Sequence, residues 1–187
     1  MSVSDMTHDE IADWCISRLT RMGYRFAFSN LTSNTHGEQP DVLGIMCDGY
    51  SIVVEVKISR SDFKADQKKI WRMNPSMGMG DERVYLAPEG LLKASEIPYG
   101  WQLWEVYGKN QPRLRIVKGR EKKRVKVGSF SRTEIIDHNI DTDELFHFSR
   151  REKTYQSELT WMMKILTRAQ ESGIDLNQFS NNYQTQA

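Results

Sequence analysis

Two apolar runs separated by one short turn constrain the fold of this chain more than any other feature. "PDVLGIM" covers residues 40–46, "YSIVVEVKI" covers residues 50–58, and Cys47-Asp48-Gly49 lies between them. Both runs are apolar at consecutive positions, which is typical of central strands that helices cover on both faces. The sequence therefore predicts a strand hairpin in the middle of an α/β sheet.

The second run contains two charged residues, and the length of the turn decides what they face. Because strand side chains alternate between faces, Glu55 and Lys57 point the same way. A two-residue turn would set Asp41 opposite Val56, on the other face. A three-residue turn with Gly49 in the left-handed region sets Asp41 directly opposite Glu55. We expect this second arrangement, which brings two carboxylates and an ammonium together.

Such a cluster predicts a metal site with phosphodiester chemistry. Two carboxylates at opposite sheet positions repel each other unless a cation lies between them. Their hard oxygens suit Mg²⁺ or Mn²⁺, which keep several waters and accept phosphate oxygens. Lys57 can orient a metal-bound water and stabilise charge that develops on phosphorus. In the simpler alternative Glu55 and Lys57 form a salt bridge on a partly exposed strand, which leaves Asp41 unexplained.

Helices are predicted on both sides of the hairpin. Thr7 and Glu10 form a capping box at the start of the first helix, and "YRFAFSNLTS" follows it as a strand. Ser59 or Ser61 can cap a second helix that runs to about Met73. "RVYLAP", "GWQLWEVYG" and "RLRIVK" read as three further strands. The order helix, three strands, helix, strand predicts a mixed α/β sheet flanked by helices.

A long helix is predicted near the C-terminus. Ser149 and Glu152 form a second capping box, and an apolar stripe at helical spacing follows. This stripe packs on the domain or, alternatively, forms a self-association seam through which a homodimer can assemble. Its members are Tyr155, Leu159, Met162, Leu166 and Ala169. We predict a core with a basic hairpin over 1–132, a helical extension over 133–173 and a flexible tail over 174–187.

Composition excludes several classes of protein. The chain has 187 residues, of which 39% are hydrophobic and 27% are charged, as in an ordinary globular domain. No apolar run approaches the roughly 18 residues of a membrane span. The first ten residues have no basic n-region or apolar h-region, and two cysteines are too few for a disulfide framework. We therefore expect a cytoplasmic protein without a membrane partner.

Charge is unevenly distributed although the net charge is only +1. Residues 109–132 contain ten basic side chains and a single acid, Glu121. Such a block can follow a phosphate backbone, or it can be a solvated hairpin. The candidate nucleic-acid-binding residues are Lys118, Arg120, Lys122, Lys123, Arg124 and Lys126.

Pro40-Asp41 followed by Glu55-Val56-Lys57 resembles the PD-(D/E)XK nuclease superfamily. The segments "ISRSDFKADQKK", "VYLAPEGLL" and "IPYGWQLWEV" are similar to the MmcB-like DNA-repair group and related phage proteins. The resemblance implies a restriction-endonuclease-like αβββαβ core, to which this chain adds its long C-terminal helix.

Site residues also follow from this resemblance. It implies that Asp41 and Glu55 ligate the metal, with the Val56 carbonyl as a possible third ligand, and that Lys57 is the catalytic lysine. Two further positions match polar residues often found in the superfamily, Glu10 on the first helix and Gln67 on the second.

The implied function is a Mg²⁺- or Mn²⁺-dependent nuclease that hydrolyses DNA in repair, phage replication or host defence. The superfamily also contains members that have lost catalysis. The alternative is therefore a catalytically silent protein that binds nucleic acid or inhibits a protein partner.

Overall fold

The computed structural model describes residues 3–31, 38–127, 130–145 and 153–176. The predicted capping box at Ser149 and Glu152 lies outside these residues. The chain divides into two compact units, Met1–Lys153 and Thr154–Ala187, and each is described by itself.

The first unit alternates helices and strands in the predicted order. A helix, three strands, two short helices and a fourth strand are followed by three more strands and a short helix. Their bounds are α1 His8–Arg21, β1 Phe26–Ser29, β2 Val42–Ile45, β3 Ser51–Val56, α2 Arg60–Asp66, α3 Ile70–Met73, β4 Glu82–Pro88, β5 Gln102–Tyr107, β6 Arg113–Val127, β7 Phe130–His138 and α4 Thr142–Leu145.

The strands form one seven-stranded mixed sheet in the sequential order β1 to β7. Strands β1, β2 and β3 are antiparallel, β3, β4 and β5 are parallel, and β5, β6 and β7 are again antiparallel. The α/β class with a central mixed sheet is therefore confirmed.

The register of the central hairpin is the predicted one. Val42 pairs with Val54 and Ile45 with Ser51, and Met46 N donates to Tyr50 O over 2.8 Å. Gly49 has φ of +82°, in the left-handed region that favours glycine because it has no Cβ. The three-residue turn is thus confirmed, and the same register sets position 41 across from position 55.

Both faces of the sheet are covered, as the continuous apolar runs predict. Every residue of β3 is buried. Ile52 and Val54 pack with Ile11 and Leu19 of α1 in one apolar cluster. A second cluster combines aromatic and aliphatic side chains of α2, β4, β5 and their connections, and it contains Phe63, Tyr85, Ala87, Leu92, Ile97, Trp101 and Leu103.

The predicted extent of the second helix is wrong. Ser59 caps it as expected, but α2 ends at Asp66, and the chain turns before α3 begins at Ile70. Phe63 is buried, whereas Ile70 is 50% exposed. Ion pairs that only the folded chain can form accompany this break, and they are described with the site below.

The predicted boundary at residue 132 falls inside β7, so residues 133–138 are strand rather than helical extension. In the second unit, α5 spans Tyr155–Glu171 and is the predicted long helix. The side chains of Tyr155, Leu159 and Leu166 are exposed. None of the helices in the described part of the chain is both long and apolar enough to cross a bilayer.

Candidate functional site

Three side chains predicted to converge meet at the carboxyl end of β3. Asp41 directly precedes β2, Glu55 lies within β3, and Lys57 directly follows it. Because β4 runs parallel to β3, Tyr85 is the neighbour of Glu55 in the next strand. The hairpin register therefore assembles the site from short local segments and places it at a buried central strand of the sheet.

Lys57 is at the centre of this group. Its Nζ lies 3.2 Å from Glu55 Oε2, 3.7 Å from Asp66 Oδ1 and 3.9 Å from Asp41 Oδ2. The lysine side chain is only 4% exposed. Burial lowers the pKa of Lys57, but the three carboxylates outweigh burial and raise it above its usual range, so the ammonium stays charged.

Asp41 connects the group to the first helix. Its Oδ2 accepts a hydrogen bond from Val56 N at 2.8 Å and lies 3.2 Å from His8 Nε2. The hydrogen bond to Asp41 raises the pKa of His8 to about 9. Asp41 Oδ1 makes no hydrogen bond or ion pair with the described residues, and the side chain is 22% exposed. Asp41 is therefore the most exposed carboxylate of the group.

Asp66 is the most heavily engaged carboxylate. Arg72 Nε lies 2.7 Å from its Oδ2, Tyr85 Oη donates to the same oxygen over 2.8 Å, and Lys69 Nζ lies 2.7 Å from its Oδ1. Burial raises the pKa of Asp66, but the Arg72 guanidinium more than offsets burial and holds this pKa well below its usual range. The carboxylate is therefore ionised at neutral pH.

Arg72 closes the group from the side of α3. Its Nη2 lies 2.8 Å from Glu55 Oε1, its Nη1 pairs with Glu38, and its guanidinium stacks 4.5 Å from the centre of the Trp101 ring. Glu38 also accepts a hydrogen bond from Met79 N over 2.6 Å. These contacts need the turn between α2 and α3, because both Lys69 and Arg72 must reach carboxylates on one side.

Only 1% of the surface of Glu55 is exposed. Burial raises the pKa of Glu55, and the nearby cations Arg72 and Lys57 offset only part of this effect. Its Oε1 contacts Arg72 without hydrogen-bond geometry, and it accepts no hydrogen bond from the described residues. A buried carboxylate oxygen without a hydrogen bond is uncommon, because leaving it so costs roughly 1–3 kcal/mol.

Acidic and basic side chains are equal in number in this group. Four carboxyl groups (Glu38, Asp41, Glu55 and Asp66) face Lys57, Lys69, Arg72 and His8, the last of which is protonated at neutral pH. Burial raises the pKa of Glu55 to about 7, so this carboxyl group is only partly ionised at neutral pH. Within the described residues, no three or more His, Cys, Asp or Glu side chains are arranged to hold a metal among themselves.

Two residues assigned to the site by resemblance are not brought into it. Glu10 is exposed, and its Oε2 accepts hydrogen bonds from Thr7 N and Oγ1 at 2.7 and 2.9 Å, so it serves the capping box of α1. Gln67 is the C-cap residue of α2 and donates over 3.5 Å to Glu96 O. His8 and Asp66, close to them in the chain, occupy the site instead. Val56 contributes its N–H to Asp41, and the role of its carbonyl stays a prediction.

The candidate nucleic-acid-binding residues lie on the hairpin of β6 and β7, with one correction. Lys118 is buried, its Nζ lies 2.7 Å from Glu144 Oε1, and it donates to Ile97 O over 3.3 Å, so it is not available for phosphate contact. Lys122, Lys123, Arg124 and Lys126 are exposed, and Arg120 is half-buried.

Sequence reasoning missed five cluster members that come from outside the hairpin, one of which is His8 on α1. Glu38, Asp66, Lys69 and Arg72 have ordinary polar surroundings in the chain, and an acid in a lysine-rich helix is usually solvated. One signal was available, since Asp66 and Lys69 have the spacing of an ion pair on a helix.

Comparisons with known proteins add little to this description. No family model matches the chain, and no curated protein matches it. A solved structure of a protein of unknown function from Silicibacter pomeroyi is similar over 60% of this chain and 71% of its own, with 22% sequence identity and a TM-score of 0.46.

Proposed function

We propose that the chain is a metal-dependent nuclease of PD-(D/E)XK type, with a restriction-endonuclease-like core, that hydrolyses DNA phosphodiester bonds. The observation that carries this proposal is the convergence of Asp41, Glu55 and Lys57 at the carboxyl end of β3, with Lys57 Nζ within 4 Å of both carboxylates. A purely structural ion pair between Glu55 and Lys57 would not need Asp41.

The donor set fits Mg²⁺ or Mn²⁺. Asp41 Oδ1 makes no hydrogen bond or ion pair with the described residues, and the buried Glu55 Oε1 accepts no hydrogen bond from them, although Arg72 Nη2 lies 2.8 Å from it. These two oxygens would hold the ion once the Arg72 guanidinium moves away from Glu55 Oε1, and waters and phosphate oxygens would complete the coordination, as is usual for Mg²⁺. The bound ion would activate water and neutralise charge on the phosphate.

The protein's own groups have distinct roles in this proposal. Lys57 supplies a charged ammonium beside the reacting phosphate, because its three carboxylate neighbours keep it protonated. His8 holds Asp41 in place from the exposed side, and Val56 N–H fixes the same carboxylate from within the sheet. Arg72 positions Glu55, which it contacts at 2.8 Å, and Asp66 positions Lys57, which lies 3.7 Å from it.

Cleavage assays test the proposal. Purified protein is incubated with plasmid, single-stranded and branched DNA in Mg²⁺, in Mn²⁺ and in EDTA. We expect cleavage in either metal and none in EDTA, and a loss of about a hundredfold or more in Asp41→Asn and Lys57→Gln.

Matched controls exist for both variants. Lys64 on α2 and Glu171 on α5 are exposed, and neither side chain makes a hydrogen bond or ion pair with the described residues. Lys64→Gln and Glu171→Gln should therefore cleave like the unmodified protein. Cleavage that survives in both Asp41→Asn and Lys57→Gln would refute the assigned site.

A second candidate function is a catalytically silent protein on the same scaffold, which binds nucleic acid or inhibits a protein partner. The presence of four of the protein's own cations beside the four carboxyl groups favours it, because these cations already neutralise the cluster without metal. DNA binding in EDTA with no cleavage of any substrate would support the binding form. Affinity for a protein but not for DNA would support the inhibitory form.

A further inference from the structure

A cavity of about 210 Å³ lies away from the candidate site, at the opposite end of β3 and β4 and on the α1 face of the sheet. Its apolar walls are Met22, Tyr24, Met46 and Trp104. This volume is small beside the roughly 300–1,000 Å³ of pockets for drug-sized ligands. The cavity therefore suits a single planar ring system rather than a large ligand.

One carboxylate, Glu82, is the polar centre of the cavity. Trp104 Nε1 donates to Gln102 Oε1 over 3.1 Å, and Gln102 Nε2 donates to Glu82 Oε2 over 2.8 Å. Tyr50 Oη donates to Glu82 Oε1 over 2.9 Å. Every donor in this series of hydrogen bonds is neutral, and Glu82 makes no ion pair with the described residues. Each oxygen keeps acceptor capacity for one more donor.

The backbone of β6 is shaped to keep this network in place. Gly119 has φ of +135°, and a Cβ there would lie 2.3 Å from Gln102 Oε1. A side chain at this position would push Gln102 away from Glu82. The close approach of β6 thus fixes the amide of Gln102, and with it the direction in which Glu82 presents its oxygens.

Cations surround the cavity and continue from it along β6. Arg21, Arg120 and Lys122 line the cavity. Because strand side chains alternate, Arg124 and Lys126 lie on the same face of β6 as Arg120 and Lys122. The β7 residues paired with these four are Asp137, Ile135, Thr133 and Ser131, so the face carries four cations and one acid.

The other face of this hairpin is balanced. Glu134 lies 2.6 Å from Arg132 and opposite Lys123, and Glu121 lies 3.0 Å from His138. Cationic excess is therefore confined to the face that continues into the cavity. A solvated hairpin would have no reason to separate its charges in this way.

We propose that the cavity binds a nucleic-acid base that bears an amino group, with Glu82 as acceptor for that amino group and with phosphates on the cationic face of β6. Aromatic walls suit the flat faces of a base, and a carboxylate accepts well from an exocyclic amine such as cytosine N4. A base can enter only out of its stack, so the ligand is a single strand or a free nucleotide. Binding here requires no metal and no cleavage, so it goes beyond the proposed nuclease activity.

Binding of labelled oligonucleotides in EDTA tests the proposal. Fluorescence anisotropy compares single strands of equal length made of deoxycytidine, deoxyadenosine or deoxythymidine, since thymine lacks an amino group. We expect the first two to bind about tenfold more tightly than the third, as a hydrogen bond to a charged acceptor predicts. Glu82→Gln should abolish the preference, and the matched surface variant Glu171→Gln should retain it.

A second pair of variants separates the phosphate contacts from the base contact. The double variant Lys122→Gln/Arg124→Gln should weaken the binding of all three oligonucleotides alike. It should also flatten the slope of log affinity against log salt by about two units. Lys123→Gln with Arg132→Gln removes the same charge from the balanced face, and it should change the slope less.

Further measurements make the result decisive. Met22 is 40% exposed and lines the cavity, so Met22→Trp should fill the cavity without disturbing the core, and it should also abolish the base preference. Competition by deoxycytidine monophosphate that depends on Glu82 would identify a free nucleotide as a ligand, whereas binding of strands alone would identify the base of a strand. Equal affinity for all three oligonucleotides, or a preference that survives both Glu82→Gln and Met22→Trp, would overturn the proposal. Neither outcome bears on cleavage, which the Asp41 and Lys57 variants test separately.

Discussion

Two clusters of polar side chains lie at opposite ends of the central strands, and they differ in whether charged or neutral groups contact their carboxylates. At the carboxyl end of β3, Asp66 contacts Arg72 and Lys69 directly, and Lys57 lies within 4 Å of it. At the start of β4, Glu82 is held by Tyr50 and Gln102, which are neutral donors. Cations contact the carboxylates of the first cluster directly, whereas Glu82 makes no ion pair with the described residues, and Lys122 acts on it only from a greater distance.

This difference shows in the pKa of each acid. Arg72 outweighs burial at Asp66 and lowers its pKa, whereas burial dominates at Glu82 and raises its pKa despite the hydrogen bonds. Neutral donors orient a carboxylate but compensate only part of its lost hydration. The ion-pair cluster should therefore dominate stability, and the neutral-donor cluster should dominate ligand recognition.

Removal of Arg72 should have the largest effect on stability. Arg72→Ala leaves Asp66, Glu55 and Glu38 buried without their shared cation, which should lower the free energy of unfolding by about 3–5 kcal/mol. Urea unfolding monitored by circular dichroism measures the change. Arg113 on β6 is exposed, and Arg113→Ala should change stability little. Equal effects of the two variants would mean that the ion pairs around Arg72 do not form in solution.

Neutral isosteres of the two acids compare the clusters directly. Asp66→Asn removes a charge that two cations contact closely, and it should cost about 3 kcal/mol. Glu82→Gln exchanges a charge that only neutral donors contact, and it should cost about 1 kcal/mol. The same urea experiment ranks them, and a Glu82→Gln variant that is the less stable of the two would reverse the comparison.

The turn at Gly49 tests the register on which the first cluster depends. A Cβ at Gly49 would meet no atom within 4 Å, so Gly49→Val should cost only the strain of the left-handed backbone, about 1 kcal/mol. If the register slips by one residue instead, Asp41 moves to the other face, away from Glu55. Loss of metal-dependent cleavage with retained folding would reveal such a slip.

A smaller effect should appear in the pH dependence of stability. Because Asp41 raises the pKa of His8 from 6.5 to about 9, the folded chain binds this proton more tightly than the unfolded chain does. This contribution is fully present below pH 6.5 and is lost as the pH rises through about 9. Urea midpoints measured between pH 6 and 10 should fall less steeply in His8→Gln than in the unmodified protein.

Local sequence determined the central hairpin and the heart of the candidate site. Consecutive apolar residues identified buried strands, and the need for a left-handed residue at Gly49 selected the turn, so the register and the pairing of positions 41 and 55 followed. The capping box of α1 was equally readable, because Thr7 and Glu10 contact each other within one helical turn. Such features depend on residues close together in the chain.

Only the tertiary structure decided which charged residues from distant parts of the chain contact Asp41, Glu55 and Lys57. The break between α2 and α3 follows from ion pairs of Lys69 and Arg72 with Glu55, Asp66 and Glu38, which the unfolded chain cannot form and helix propensity does not encode.

The tertiary structure also determined which basic residues are exposed and which residues line the cavity. Lys118 belongs to a basic segment but is buried against Glu144, and Glu82 and Lys122 line one cavity although they are forty residues apart in sequence. The physical reason is that burial and long-range electrostatics depend on which strands become neighbours. Sequence periodicity records only the face on which each residue lies.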